Sequence, residues 1–204
     1  DLQFSQEQLE LMVRTAKLFG RRIAIHMHPA EGISAAIAAR VGSIEHGSYA
    51  SDSHLQSMAD MGIAFVPTLA PAIFLFHTLE SQGLSYQDKV ERVEARRQAA
   101  ARSRVWGTQV LAGTDGGVPY TPHGAVVQEL IELHRLGFSP LEALRTATLL
   151  PGIAWGYANR LGLIKPGAFG DMILVENNPL EELSSLSNVL LVLKSGRIVV
   201  NRMA

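Results

Sequence analysis

The chain has 204 residues, of which 47% are hydrophobic and 18% charged, so it is long enough to bury a core and too apolar for intrinsic disorder. Its 18 basic and 19 acidic side chains give a net charge of -1, which argues against a nucleic-acid partner. The absence of cysteine excludes disulfides, thiolate metal sites and cysteine nucleophiles. No apolar run is long enough to cross a membrane, so we expect no membrane partner.

The first two thirds of the chain alternate helical patterns with short apolar strands. Ser5 is predicted to cap the first helix, and Gly20 to end it. The predicted helices are 5–20, 32–40, 51–61, 87–104 and 124–136, and the predicted strands are 22–26, 41–45, 64–67 and 110–113. Such alternation is typical of β-α-β units and predicts a parallel sheet covered on both faces.

The pattern changes after a further helical block, which Ser139 caps and which runs from Pro140 to about Tyr157. Three β-rich segments follow at 172–175, 189–193 and 198–200. The dipeptide Ser195-Gly196 between the last two predicts a hairpin turn. The C-terminal part is therefore predicted to be a small β module.

The number of units leaves two architectures open. Residues 22–136 hold only four strand–helix units, whereas a closed eight-fold barrel needs about 250 residues. The chain is either an open α/β sheet or the C-terminal part of a barrel whose earlier strands lie outside it. The first residues include no Met and no signal-peptide pattern, so we expect a chain that was processed or cut from a longer one. The compartment stays open, cytoplasmic or exported.

Three possible metal ligands stand at equivalent places, at the ends of predicted strands. His26 ends the first strand, His46 the second and Asp115 the fourth. Because the carboxyl ends of parallel strands share one rim, we expect these side chains to meet there. Imidazole and carboxylate are ligands of zinc and similar divalent ions. Each residue alone has an ordinary alternative, a hydrogen-bonded structural histidine or a turn aspartate.

Three further residues are placed at the same rim. His26 and His28 are two apart and could chelate together, but Pro29 favours His28 as a rim residue that contacts substrate or supports a ligand. His123, with Tyr120 on the same loop, could contact substrate or cap the next helix. We therefore predict His28, His123 and Tyr120 as substrate-binding residues, and Asp115 as catalytic.

These residues, taken in order, resemble the amidohydrolase superfamily, and most closely its imidazolonepropionase-like and Xaa-Pro dipeptidase (prolidase-like) branch. The similarity extends over essentially the whole chain. The matching segments are 25–32, 43–47, 112–115, 139–144, 162–171 and 178–180.

The resemblance implies an α/β fold, namely the second half of a metal-dependent (β/α)8 TIM barrel in residues 1–158. Residues 159–204 would be the C-terminal part of a small β-sandwich domain. His26 would match the family's histidine of strand five, His46 that of strand six and Asp115 the aspartate of strand eight. One or two divalent ions, with zinc the expected metal, would lower the pKa of a bound water. Asp115 would act as proton acceptor and donor.

The implied activity is hydrolysis of an amide or peptide bond, with a dipeptide or another small molecule as substrate. The alternatives are a cyclic amide, an ester or a phosphotriester. The family's ligands from strands one and four would precede this chain, so a noncatalytic fragment with an incomplete metal site is the alternative of another class. Exposed apolar strand faces would then favour pairing, and we expect a homo-oligomer.

Overall fold

The computed structural model describes residues 3–81, 83 and 87–203, and the predicted domain limits at residues 1 and 204 lie outside that range. The helices are α1 (Gln6–Leu18), α2 (Ala30–Ala39), α3 (Asp52–Met61), α4 (Ala70–Ser81), α5 (Gln87–Trp106), α6 (Val126–Arg135), α7 (Pro140–Ala147) and α8 (Leu149–Ala154). The strands are β1 (Ala24–Met27), β2 (Ser43–His46), β3 (Ala64–Val66), β4 (Met172–Val175), β5 (Val189–Lys194) and β6 (Arg197–Asn201). None of the described helices is long and apolar enough to cross a membrane.

Serine capping boxes begin three of the helices. Ser5, Ser51 and Ser139 each accept a hydrogen bond from the backbone N–H three residues on, and the side chain of that residue accepts one from the backbone N–H of the capping serine. Two otherwise unpaired backbone groups are satisfied at each start. The predicted starts of these helices are therefore confirmed.

The first sheet is parallel, in the order β1-β2-β3. Its register sets His26 opposite Glu45 and Met27 opposite His46. The predicted fourth strand, 110–113, is wrong in extent, because only Val110 forms a bridge, parallel to Phe65. The chain leaves the sheet soon afterwards, since the Ala112 N–H donates to a helix α7 carbonyl 3.0 Å away.

The core lies between this sheet and the helices. Ile44 and Phe65, on adjacent strands, are fully buried with Leu55 and Leu133 from the helices. Gly47, at the end of β2, lies against the Phe65 ring, and a Cβ there would be 2.6 Å from Phe65 Cε2. Glycine is needed there both for this approach and for its φ of 49°.

Two helical predictions need correction. The sequence did not indicate helix α4, because its first seven residues are all apolar and show no helical period, although Pro71 suits a first turn. The predicted helix 140–157 is two helices, because Thr148 leaves the helical region at φ -125° and ψ -83°.

The C-terminal module is an antiparallel sheet in the order β4-β5-β6. The predicted hairpin is confirmed, with Ser195 at φ 52° and Gly196 at φ 74°, the left-handed pair of a type I′ turn. Asp171 holds the turn, since its carboxylate accepts from Lys194 Nζ at 2.6 Å and from the Ser195 N–H at 2.7 Å.

Candidate active site

A cavity of about 280 Å³ opens at the carboxyl ends of the parallel strands. It brings together four of the six predicted site residues, and helices α4 and α5 complete its wall. Its lining consists of His26, His28, His46, Pro71, Leu75, Lys89, Arg92, Val93, Arg96 and Asp115. The expectation that strand ends converge on one rim is met by these side chains.

The three histidine rings form one cluster. The ring centroids of His26 and His46 are 4.5 Å apart, those of His26 and His28 are 4.8 Å apart, and those of His28 and His46 are 5.0 Å apart. Parallel pairing of β1 with β2 brings His46 beside the end of β1. The His28 ring lines the cavity, as expected for a rim residue, and it also lies beside the His26 ring.

Hydroxyl groups hold two of these rings by the same nitrogen. The His28 Nδ1 lies 2.9 Å from Ser48 Oγ. The His46 Nδ1 contacts Thr68 Oγ1, which donates its own proton to the Pro67 carbonyl at 2.6 Å and so accepts from the imidazole. In both rings Nε2 remains for another partner, as in a metal-ligating histidine whose orientation is fixed by its second nitrogen.

Burial and neighbouring charge keep these two imidazoles neutral. The pKa of His46 is lowered to about 3, first by burial and then by Arg96, His26 and His28. The pKa of His28 is lowered to about 4, first by burial and then by His26, Arg96 and Arg92. A neutral imidazole is the form that binds a cation.

The two carboxylates near the cluster differ in their surroundings. Asp115 is exposed, lines the cavity and has a φ of 48°, in the left-handed region. Glu45 accepts a 2.5 Å hydrogen bond from Ser43 Oγ. Burial raises the pKa of Glu45, the Ser43 bond opposes the rise and Asp115 adds to it.

Sequence reasoning missed Arg96 and Glu129, which are both buried behind the cluster. Arg96 Nη1 donates to the Thr68 carbonyl at 2.9 Å and to Thr68 Oγ1 at 3.0 Å. Glu129 Oε2 accepts from the Ala70 N–H at 2.7 Å, and burial raises the pKa of Glu129 to about 8. Glu129 lies four positions before the buried Leu133, so helical spacing would have placed it on the apolar face of its helix.

The structure does not bring His123 and Tyr120 to the cavity. Both are exposed on the loop after the fourth strand position, and neither lines the cavity. The alternative that His123 caps the next helix is wrong, because the cap of α6 is Ala125 and makes no side-chain hydrogen bond. Their role in substrate binding stays a prediction.

The donor types of the cluster suit a divalent ion, although its present arrangement does not enclose one. Among residues 3–81, 83 and 87–203, no group of three or more His, Asp or Glu side chains is arranged to hold a metal ion. Neutral imidazoles beside a carboxylate are nonetheless the ligand set of zinc and related ions. The assignment of His26, His46 and Asp115 as ligands stays a prediction.

Comparison with known proteins identifies the family. Residues 1–199 match the model of the Amidohydrolase family, and the chain belongs to that family. It is 34% identical over 191 residues to an ochratoxinase of Aspergillus niger, a match that covers 89% of this chain and 38% of that protein. It is 28% identical over 206 residues to an imidazolonepropionase of Geobacillus kaustophilus, a match that covers 97% of this chain and 44% of that protein.

Solved structures agree with this relationship. A Xaa-Pro dipeptidase with bound methionine in its active site superposes with a TM-score of 0.87 at 29% identity, covering 97% of this chain and 49% of the other. The chain thus spans less than half the length of these relatives. Its fold is a partial barrel followed by a sheet domain, which confirms the predicted class and the family resemblance.

Proposed function

We propose that the protein carrying this chain is a metal-dependent hydrolase of amide or peptide bonds in small substrates, dipeptides included. The observation that carries the proposal is the cavity in which three histidine rings and Asp115 converge. The ochratoxinase, imidazolonepropionase and Xaa-Pro dipeptidase relatives support the reaction class.

In this proposal His26, His46 and Asp115 hold one divalent ion, with zinc the expected metal. When bound, the ion supplies the Lewis acidity that lowers the pKa of water and polarises a carbonyl. Ser48 orients the His28 ring and Thr68 orients the His46 ring. The Nε2 atoms are therefore already directed at their partners, and no change of rotamer is needed.

Asp115 moves the proton. Its exposed carboxylate at the cavity accepts a proton from the attacking water and returns it to the leaving amine. His28, fixed by Ser48, contacts the substrate beside the reacting carbonyl. His123 and Tyr120 approach substrate only through movement of their loop, which is exposed.

Replacing Asp115 with Asn tests the proton-transfer role. We expect kcat on a panel of dipeptides to fall by about 10²–10⁴-fold, because Asn cannot accept a proton. Asp60→Asn on the exposed face of α3 is the matched control and should leave kcat unchanged. Near-normal turnover by the Asp115 variant would overturn the assignment.

The same purified protein distinguishes a peptidase from a hydrolase of other bonds and from a noncatalytic fragment. Elemental analysis should find a divalent metal in the parent protein and much less in His26→Ala and His46→Ala variants. The panel also contains lactams, esters and a phosphotriester, and activity on those alone would replace the peptidase assignment. A metal-free, inactive protein with unchanged unfolding would support the noncatalytic alternative.

A further inference from the structure

Another cavity, of about 450 Å³, opens at the amino ends of the parallel strands, opposite the histidine cavity. Its wall is formed by the end of α1 and by the segments that lead into β1, β2 and β3. Val13, Val41 and Ile63 contribute buried apolar side chains to the lining. The volume lies in the range of small-ligand sites, and the lining includes no residue of the proposed reaction.

The charge of this cavity is strongly positive. The described lining has no acidic side chain and four basic ones, all on exposed residues, namely Lys17, Arg21, Arg22 and Arg40. The ion pairs among the described residues involve other cations, so no carboxylate of that part of the chain neutralises these four. The ends of α1, α2 and α3 each bring about half a negative charge to this side, which four full positive charges outweigh. We call it the basic cavity.

Gly42 lets one of these cations lie close to the backbone. A Cβ at Gly42 would be 2.7 Å from Arg22 Cβ and 3.3 Å from Arg22 Cδ, so the aliphatic part of Arg22 packs directly on the glycine. The Gly42 N–H donates to the Ile23 carbonyl at 2.7 Å and joins the two segments. Arg22 is therefore held at the wall of the basic cavity by local packing.

Arg40 occupies a backbone conformation that favours glycine. It ends α2 at φ 59°, and the equivalent residue at the end of α3 is Gly62 at φ 65°. Both donate their N–H to carbonyls of the helix that they end, and both precede a strand of the same sheet. Arginine in this conformation costs free energy that glycine does not. No described residue accepts a hydrogen bond from the Arg40 guanidinium to offset that cost.

We propose that the basic cavity binds a multiply charged phosphate anion, free or carried on a small organic molecule. Guanidinium groups bind phosphate oxygens through paired hydrogen bonds, and the lysine adds a compact charge. A phosphate group carries about two negative charges at neutral pH, so it matches several cations where one carboxylate would not. The site is separate from the candidate active site and does not depend on the proposed function.

Calorimetric titration with inorganic pyrophosphate at constant ionic strength tests the proposal. We expect the parent protein to bind one pyrophosphate per chain. R21Q/R22Q should weaken binding by about tenfold or more, because two charge-assisted contacts are lost. R40G removes one cation and relaxes the backbone. It should weaken binding by about three- to tenfold, without lowering the urea midpoint of the unliganded protein.

The matched control removes two cations at the histidine cavity. K89Q/R92Q changes the net charge by the same amount as R21Q/R22Q, and neither of its residues lines the basic cavity. It should keep the parent's affinity for pyrophosphate, and circular dichroism should show all variants folded. A parent that does not bind pyrophosphate, or equal weakening in the two double variants, would overturn the proposal.

Titration with ADP distinguishes the two sources of phosphate, because ADP carries a diphosphate on an organic group. Tighter binding of ADP than of pyrophosphate would support an organic phosphate that also contacts the apolar lining of the basic cavity. Tighter binding of pyrophosphate would support the free anion. In either case R21Q/R22Q should weaken the tighter ligand, and unchanged affinity would overturn the assignment to this cavity.

Discussion

Backbone strain at the level of single residues occurs at three positions of the candidate site. His46, Thr68 and Asp115 each have a positive φ, of 68°, 52° and 48°. His46 ends β2, Thr68 lies just after β3 and Asp115 follows the bridge at Val110. Non-glycine residues in this region cost about 1–3 kcal/mol when the surroundings enforce it. The hydrogen bonds that Thr68 makes to His46 and Arg96 are the enforcing contacts at one of these positions.

Removing the Thr68 hydroxyl should therefore destabilise the fold. Thr68→Val keeps the branched side chain at the same backbone conformation. It removes the hydroxyl that His46 Nδ1 and Arg96 Nη1 both contact, so each of these buried groups loses one hydrogen-bond partner. We expect the free energy of unfolding in urea to fall by about 1–3 kcal/mol. Thr68→Ser restores the hydroxyl and should lose less, so equal losses in the two variants would contradict this role.

Titration of Glu129 should make the free energy of unfolding depend on pH. Its folded-state pKa is raised from 4.5 to about 8 by burial, so the folded protein binds the proton more tightly than the unfolded chain. This contribution is fully present below about pH 4.5 and is lost as the pH rises toward 8. Glu129→Gln keeps an oxygen acceptor for the Ala70 N–H and removes the titration.

Urea unfolding at a series of pH values measures this difference. The free energy of unfolding of Glu129→Gln, relative to the parent, should rise between pH 5 and pH 8. The depressed pKa values of His28 and His46 act in both proteins, favour the fold less as the pH falls below 6.5, and cancel in the comparison. A difference that is flat with pH would contradict the raised pKa.

Sequence reasoning predicted the convergence of residues near strand ends on one cavity and missed residues that depend on tertiary contacts. His26 and His46 are placed by the strand pattern, and Asp115 lines the same cavity although the strand predicted before it is only a bridge at Val110. Arg96 lies within a highly charged helix, and nothing local separates it from its solvated neighbours. Its burial depends on Thr68, which is 28 residues away.

Among the elements, the segment after α8 is held by one close approach. Gly162, at φ 70°, lies against the backbone between α7 and α8, and a Cβ there would be 2.2 Å from the Thr148 carbonyl. Gly156 also has a positive φ, 81°, but has open space around it. The two glycines thus share a conformational requirement and differ in their steric surroundings.

Alanine substitution at both glycines separates these two effects. Gly156→Ala should cost about 1–2 kcal/mol, the price of a left-handed conformation. Gly162→Ala should cost several kcal/mol more, because backbone atoms must move to admit the methyl group. Urea unfolding of both variants measures the difference in the free energy of unfolding. Equal losses of stability would show that the backbone at Thr148 moves aside at no cost.

Element prediction succeeded where the chain carries a local signal. Serine caps fixed the helix starts at Ser5, Ser51 and Ser139, and Ser195-Gly196 marked the hairpin. Helix α4 begins with seven apolar residues that set no helical period, and the break at Thr148 lies against Gly162. These two features depend on contacts that no local pattern records.

At the scale of the whole molecule, the β module presents an apolar row. The register of β4, β5 and β6 aligns Met172, Leu193 and Ile198 across the sheet. Ile198 is 61% exposed and Met172 36%. Exposed aligned apolar side chains on a small sheet favour association, and this row is the physical basis of the expected homo-oligomer.

A charge in this row should weaken self-association. Ile198→Lys should lower the concentration-dependent mass in analytical ultracentrifugation, because burial of the ammonium would cost free energy. Asn177→Lys, exposed in the loop after β4, adds the same charge without removing an apolar side chain. A monomeric parent, or equal association of both variants, would contradict an interface at this row.

The hydroxyl partners of the histidine rings limit how much electron density these rings can donate to a cation. A carboxylate behind an imidazole pulls its proton and makes the ring a stronger σ-donor. Ser48 and Thr68 are neutral and pull less, and Thr68 is itself polarised by the Arg96 guanidinium. A ring backed in this way transfers less negative charge to whatever it holds, so a cation held by His46 would keep more of its own charge and remain a harder electrophile.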